Sequence, residues 1–354
     1  GPFWGFLFGW AQLVIIRTSP AAGLSLITAN YVGYFIPMVQ FEKNLVAIAV
    51  IILFGALNYI GVTKASFYNK FSSSIKIGGL FIFAIIGFVI VDGDFSRLSE
   101  TAETTASLGP IGNMVAALML ILFSFIGWDR VGYVAGEMKD PKSVIPKSML
   151  YGMLVIVILY ISANLLYHTV IGLEGMRSST IVASDTAVRL FGNIGAGLIS
   201  LMVIISATGS INGTMMSASR VYYAMAKDGL MFKWFDHVDT KFQTPANAII
   251  AHCFWGIVLI LVRQNFETIV AGMVFAILIF YGFTTIAFFK FRLKNSGETD
   301  GYRIPYFPVL PAIYFIGIVV LVLLRAYYET DKSVQDLTFV LTGIPVYFLF
   351  FRKR

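Results

Sequence analysis

Cysteine, histidine and charge are what this chain has least of. One cysteine, Cys253, occurs among 354 residues, which excludes a disulfide framework and a cysteine-based zinc site. The three histidines, His168, His237 and His252, stand far apart in sequence, so no metal and no cofactor is expected. Charged residues make up 13% of the chain, about half of the ~25% usual in soluble domains. Gly/Ser-rich and Pro-rich linkers are missing too, and residues 1–354 read as one domain. A basic start and a cleavage site are absent ahead of the first apolar stretch, so no signal peptide is legible. The chain opens on Gly1-Pro2, and further sequence upstream is expected.

What is abundant is apolar. Hydrophobic residues reach 58% and aromatic residues 15%, with 32 phenylalanines. This excludes a soluble globular protein and a disordered chain. At about 20 apolar residues per crossing there is room for roughly ten helices, so the fold class is an all-α polytopic membrane protein. The segments run approximately 3–34, 45–62, 71–91, 112–136, 147–168, 193–219, 246–262, 266–289, 309–327 and 337–351. The longest polar connection, about 92–111, is acidic. A net charge of +7 reflects basic loops facing the cytoplasm rather than a nucleic-acid surface. If the first segment starts inside, inner loops and tail hold seventeen lysines and arginines. Outer loops then hold seven: Lys43, Arg97, Arg177, Arg189, Arg263, Arg325 and Lys332. That asymmetry places both termini of this chain in the cytoplasm, and the protein in the cell membrane.

The fourth segment departs from a simple span. Its apolar core, Met114 to Trp128, is followed by Asp129-Arg130 before apolar character resumes at Val131. Fifteen residues are too few to cross, and Ser124-Phe125-Ile126-Gly127 supplies a hydroxyl and a glycine where a break would fall. A discontinuous membrane helix exposes backbone carbonyls and amides, which is tolerated where they face a cavity or ligand. The alternative is a short, tilted helix ending at Asp129.

Three stretches carry a resemblance to a known family. Phe123-Ser124-Phe125-Ile126-Gly127-Trp128-Asp129, with Gly136-Glu137-Met138-Lys139-Asp140-Pro141 and Pro146, resembles the sixth helix and following loop of amino acid permeases. These belong to the amino acid–polyamine–organocation (APC) superfamily. Gly209-Ser210-Ile211-Asn212-Gly213, then Ser219-Arg220, Ala226 to Leu230 and Thr244-Pro245, resembles the eighth helix and its exit loop. Gly9-Trp10 through Val14-Ile15-Ile16-Arg17-Thr18-Ser19-Pro20 is similar to the third helix of the L-type amino acid transporter (LAT) branch.

The resemblance implies a LeuT-type inverted-repeat fold, with family helices three to twelve present and the first two lacking. It implies substrate binding at the unwound helix. There the carbonyls of Phe123, Ser124 and Ile126 would hold an α-ammonium, which offers three donors and no acceptor. Gly127 belongs to the same break, and the Phe123 ring would close over the substrate. Ile126 stands where the family often has a smaller residue. Ser210 is the leading candidate on the eighth family helix, where Ser206, Gly213, Thr214 and Ser217 share its side. Small-residue packing between helices explains that face equally well. Lys76 falls on the fifth family helix, where sodium-independent members carry a lysine. There it would mimic a bound cation, with Ser210 as partner. Snorkelling of Lys76 to the interface is the alternative.

Arg17 sits mid-segment and is expected to be paired inside the bundle, as ligand contact or strut. Gly192-x-x-Gly195-x-Gly197 has no βαβ context and is read as close helix packing. Glu137 to Lys147 is read as a surface loop with a helix starting at Pro146. No enzyme is expected, since no His-Glu-x-x-His and no intramembrane aspartate pair occurs. The expected function is sodium-independent transport of zwitterionic amino acids, by exchange or proton coupling. A non-transporting sensor or scaffold is the alternative. Partners are a small amino acid and the lipid bilayer, with no nucleic acid; the oligomeric state is not legible. No disulfide-linked heavy chain is expected, because the loop from Phe35 to Asn44 lacks cysteine.

Overall fold

The computed structural model describes residues 1–90, 95–100, 108–128, 140–294 and 304–351, and every regular element among them is helical. Asp129, Arg130, Glu137, half of the acidic 92–111 connection and the final Arg352-Lys353-Arg354 lie outside the described residues.

The first apolar stretch is not one α-helix. α1 (Pro2–Ala11) widens into a π-turn, Gln12–Ile16, before α2 (Thr18–Val32) resumes. Then follow α3 (Gln40–Ile60), α4 (Val62–Ile90), α5 (Gly109–Phe125), α6 (Pro141–Ser178) and α7 (Val182–Lys227). The chain closes with α8 (Ala246–Arg263), α9 (Phe266–Lys294), α10 (Val309–Tyr328), α11 (Thr330–Leu341) and α12 (Gly343–Phe350). Eight helices among the described residues are long and apolar enough to cross a membrane, counting α11 and α12 as one. α5, at 17 residues, is a shorter apolar helix. With the stretch from α1 to α2, these account for the ten segments read from the sequence.

Three boundaries differ from expectation for physical reasons. α4 begins at Val62 rather than near 71: its first turns are more polar but pack on α7, with Ala65 buried and Asn69 against Gly213. α6 begins at Pro141, not Pro146. The Asp140 carboxylate accepts from the Ser143 amide at 3.4 Å, and Pro141 fills the first turn, where its missing N–H costs nothing. α7 bends at Gly192, which has φ +68° and no neighbour within 4 Å of a built Cβ. Gly192 therefore serves a backbone turn that only glycine adopts cheaply, not close packing. Gly197 in the same run does face the rings of Tyr34 and Phe35.

α7 is the central strut, packed along α2 and α4, while α9 is the most enclosed of the spans. An apolar core joins Val14 to Ile16 of the π-turn with Val115 and Met119 of α5 and Met273 to Leu278 of α9. At one end, the α7–α8 connection is tied to α3. Tyr59 Oη donates to Asp239 Oδ2 at 3.0 Å, and Thr244 Oγ1 donates to the Tyr59 carbonyl at 2.8 Å. The amide of Phe242, with that of Lys241 and the Tyr59 hydroxyl, holds the Asp239 carboxyl below the ordinary aspartate range.

Two basic residues assigned from sequence to outer loops are buried instead. Arg263 Nη2 lies 2.6 Å from Asp336 Oδ1, and Arg325 Nη2 lies 2.9 Å from Asp336 Oδ2. Arg325 Nη1 also donates to the Ala271 carbonyl at 2.7 Å. A Cβ on Gly272 would strike Asp336 Oδ1, so glycine there lets α11 approach α9. Helices α8, α9, α10 and α11 are thereby pinned at one point.

Candidate functional site

α5 ends at Phe125. Ile126 is extended (φ −73°, ψ 142°), and its amide reaches back to the Phe123 carbonyl at 3.1 Å in a turn, not along an α-helical ladder. Gly127 follows at φ +123°, a conformation that side-chain-bearing residues rarely adopt. The α-helical ladder therefore stops at the residues where the sequence suggested a break, and the chain from Asp129 to Lys139 lies outside the described residues. Substituting Gly127 with alanine forces a strained backbone costing ~1–3 kcal/mol. We expect amino-acid uptake to fall about tenfold, equivalent to ~1.4 kcal/mol. Gly152→Ala on α6, where a Cβ meets nothing within 4 Å, should leave uptake unchanged in the same assay.

The break opens onto a cavity of about 630 Å³ between α2, α4, α5, α6, α7 and α9. That is within the ~300–1,000 Å³ range of small-molecule sites. Phe123, Ser124, Ile126 and Gly127 line it from α5, Ser210, Gly213 and Thr214 from α7, and Lys76 from α4. The structure therefore gathers every residue proposed from the sequence for the site. Lys76 Nζ donates to Ser210 Oγ at 2.6 Å, and Ser210 Oγ donates onward to the Ser206 carbonyl at 3.1 Å. Lys76 thus points into the bundle and not to an interface.

The α7 polar face is divided between the cavity and a neighbouring helix: Gly213 lines the cavity and also lies against Asn69 of α4. Ser210 and Thr214 face the cavity, and Gly209 lets α4 come close, since a Cβ there would strike Ser72. The Ser124 hydroxyl is turned away, donating to the Ile121 carbonyl at 2.6 Å, so this residue offers the cavity its backbone.

Arg17 is buried at 6% exposure, lines the cavity and donates from Nε to Gln12 Oε1 at 2.9 Å. Among the described residues lining the cavity, Arg17 and Lys76 carry charge and no carboxylate does. Asp129, the one acidic candidate near the break, lies outside the described residues. Sequence reasoning missed two aromatic members. Tyr160 of α6 donates from Oη to the Ser124 carbonyl at 3.1 Å. Phe266 of α9 meets Phe123 edge-on, ring centres 5.6 Å apart, at the cavity wall. One tyrosine among 17 and one phenylalanine among 32 carried no distinguishing pattern.

An apolar helix that stops short at an irregular turn, and a half-buried ammonium lining the same cavity between helices, suit a membrane carrier. The comparison with known proteins agrees: the chain matches the amino acid permease family over residues 1–351, and it belongs to that family. The LeuT-type fold follows from that membership. Over 351 residues it is 29% identical to the serine/threonine exchanger SteT of Bacillus subtilis, covering 98% of this chain and 78% of that one. It is 26% identical over 364 residues to the b(0,+)-type amino acid transporter 1 of Mus musculus, covering 99% and 72%. The human cystine/glutamate transporter is 25% identical over 359 residues, covering 99% and 70%. These relatives agree with the L-type branch that the sequence motifs resemble. The protein is a multi-pass membrane transporter of amino acids and not an enzyme.

Proposed function

We propose that the protein exchanges zwitterionic amino acids across the cell membrane without sodium. The observation that carries this reading is the Lys76 Nζ–Ser210 Oγ contact at the wall of the cavity opposite the helix break. An ammonium held there supplies the positive charge of a bound metal cation, with N–H donors to oxygens in place of coordination bonds. The carbonyls of Phe123, Ser124 and Ile126 suit the substrate's own ammonium, and alternating access follows from one bundle rocking about that site. Two cationic side chains and no described carboxylate on the cavity wall disfavour a cationic substrate side chain.

Both termini of this chain are placed in the cytoplasm. The excess of lysine and arginine in the connections assigned to the inside supports this. No disulfide-linked heavy chain is proposed, as Cys253 lies within α8. The sensor alternative draws no support from relatives named as exchangers and transporters.

Counterflow of labelled serine into liposomes preloaded with serine tests the proposal. Uptake should be equal in sodium and choline buffers, and alanine, serine and leucine should compete better than arginine. A sodium requirement, or arginine as the best competitor, overturns it. Uptake into empty liposomes driven by an inward proton gradient would assign proton coupling in place of exchange.

A further inference from the structure

The π-turn of Gln12–Ile16 lies directly behind the cavity wall, and Ile16 and Arg17 at its end line that wall. Its bonding is of the i to i+5 type, with the Arg17 amide donating to the Gln12 carbonyl at 2.9 Å. A helix widened in this way gains one residue per turn, so everything after it is rotated by about 100° relative to an uninterrupted α-helix.

Three consecutive carbonyls of the turn are each met by a side-chain donor. Tyr222 Oη of α7 donates to the Gln12 carbonyl at 3.2 Å, Thr18 Oγ1 donates to that of Leu13 at 2.8 Å, and Trp255 Nε1 of α8 donates to that of Val14. Tyr222 is itself fixed from behind. Its hydroxyl proton is committed to the Gln12 carbonyl, so the contact with His252 Nδ1 at 3.2 Å makes that nitrogen the donor. Gln12, Tyr222 and His252 are all at least 98% buried. Gln12 therefore joins two systems. Its backbone oxygen is held by Tyr222, and its side-chain oxygen holds Arg17 Nε.

We infer that the propped π-turn is the device that aims Arg17 at the transport cavity, with Tyr222 and Trp255 as positioning residues for amino-acid binding. The inference rests on the cavity being the transport site. A guanidinium on a long flexible stem presents no fixed field to a zwitterion. One anchored at Nε, on a backbone locked from α7 and α8, presents a single direction. Because α7 also carries Ser210, and α4 carries Lys76, the same strut sets the spacing between the two cationic groups of the wall.

The test is a double-mutant cycle on exchange kinetics in liposomes, with serine as probe. Tyr222→Phe keeps the ring and removes the hydroxyl. It should raise KM about tenfold while the maximal rate and the thermal midpoint stay near wild type. Trp255→Phe should act in the same direction. Arg17→Ala should raise KM at least as much, and Arg17→Ala combined with Tyr222→Phe should match Arg17→Ala alone, because one residue acts through the other. Multiplicative effects on KM, an unchanged KM in Tyr222→Phe, or a Tyr222→Phe defect seen only in stability would overturn the inference. Normal exchange by Arg17→Ala with loss of exchange in Lys76→Ala overturns this inference and leaves the site standing. Normal exchange in both variants overturns the site itself.

Discussion

Lys76→Ala should reduce amino-acid exchange by about ten- to a hundredfold while leaving the protein folded and in the membrane. A charge-assisted hydrogen bond contributes ~1.5–3 kcal/mol, and each ~1.4 kcal/mol is a factor of ten. The Lys76 ammonium is 2.6 Å from Ser210 Oγ, at the wall facing the α5 break. Truncation does not strand Ser210, whose hydroxyl keeps the Ser206 carbonyl as acceptor. Stability should therefore change little, and the deficit should fall on transport. Ser210→Ala removes the acceptor while the charge stays, so its defect should be smaller than that of Lys76→Ala. Exchange at normal rates by Lys76→Ala, measured by serine counterflow, would remove the cation-mimic role.

The largest expected loss of stability lies elsewhere, at Asp336. Its side chain is fully buried and accepts from Arg263 at 2.6 Å and Arg325 at 2.9 Å. Asp336→Ala takes the carboxylate away from both guanidinium groups, leaving Arg325 with Glu329 at 3.9 Å, and breaking a buried pair costs ~3–5 kcal/mol. We expect the thermal midpoint in detergent to fall by about 10 °C. Replacing Arg263 and Arg325 with methionine in the same chain should recover most of that loss, since apolar substitutes for a whole buried network are often near neutral. Lys332→Ala is the contrast. Lys332 is half exposed and pairs with Glu329 at 2.6 Å, so its loss should be worth ~0–1 kcal/mol.

The fold was largely legible because a membrane helix must satisfy its backbone internally and present apolar side chains to lipid. Hydropathy therefore located the spans. It failed where a polar residue was packed inside the bundle, as with Asn69 in the first half of α4, which faces α7 and fell outside the 71–91 segment. It also failed at Arg263 and Arg325, where the charges looked like solvated loop residues until Asp336 supplied a buried partner.

The helix break was written in composition, as a hydroxyl, a glycine and an apolar run too short to cross. The π-turn was not. Gln12-Leu13-Val14-Ile15-Ile16 has no capping residue, proline or glycine, and the widening depends on donors from Tyr222 and Trp255, each more than 200 residues away in sequence. Lys76 and Ser210 were paired through family resemblance alone, since they stand 134 positions apart with no periodic signal linking them. Tyr160 and Phe266 enter the site through tertiary placement on α6 and α9, which no local pattern encodes.

The one thiol of the chain also makes it a convenient spectroscopic subject. Cys253 is half-buried in the seam between α8 and α3, its sulfur 3.8 Å from the Ile51 carbonyl and filling space that Gly55 leaves open. Alanine at that position removes a single sulfur atom and no other contact of the seam. Within residues 1–354 a labelling background thus needs one substitution. Probes attached in pairs on opposite sides of the α5 break could then report, by distance, how far the two bundles swing during a cycle.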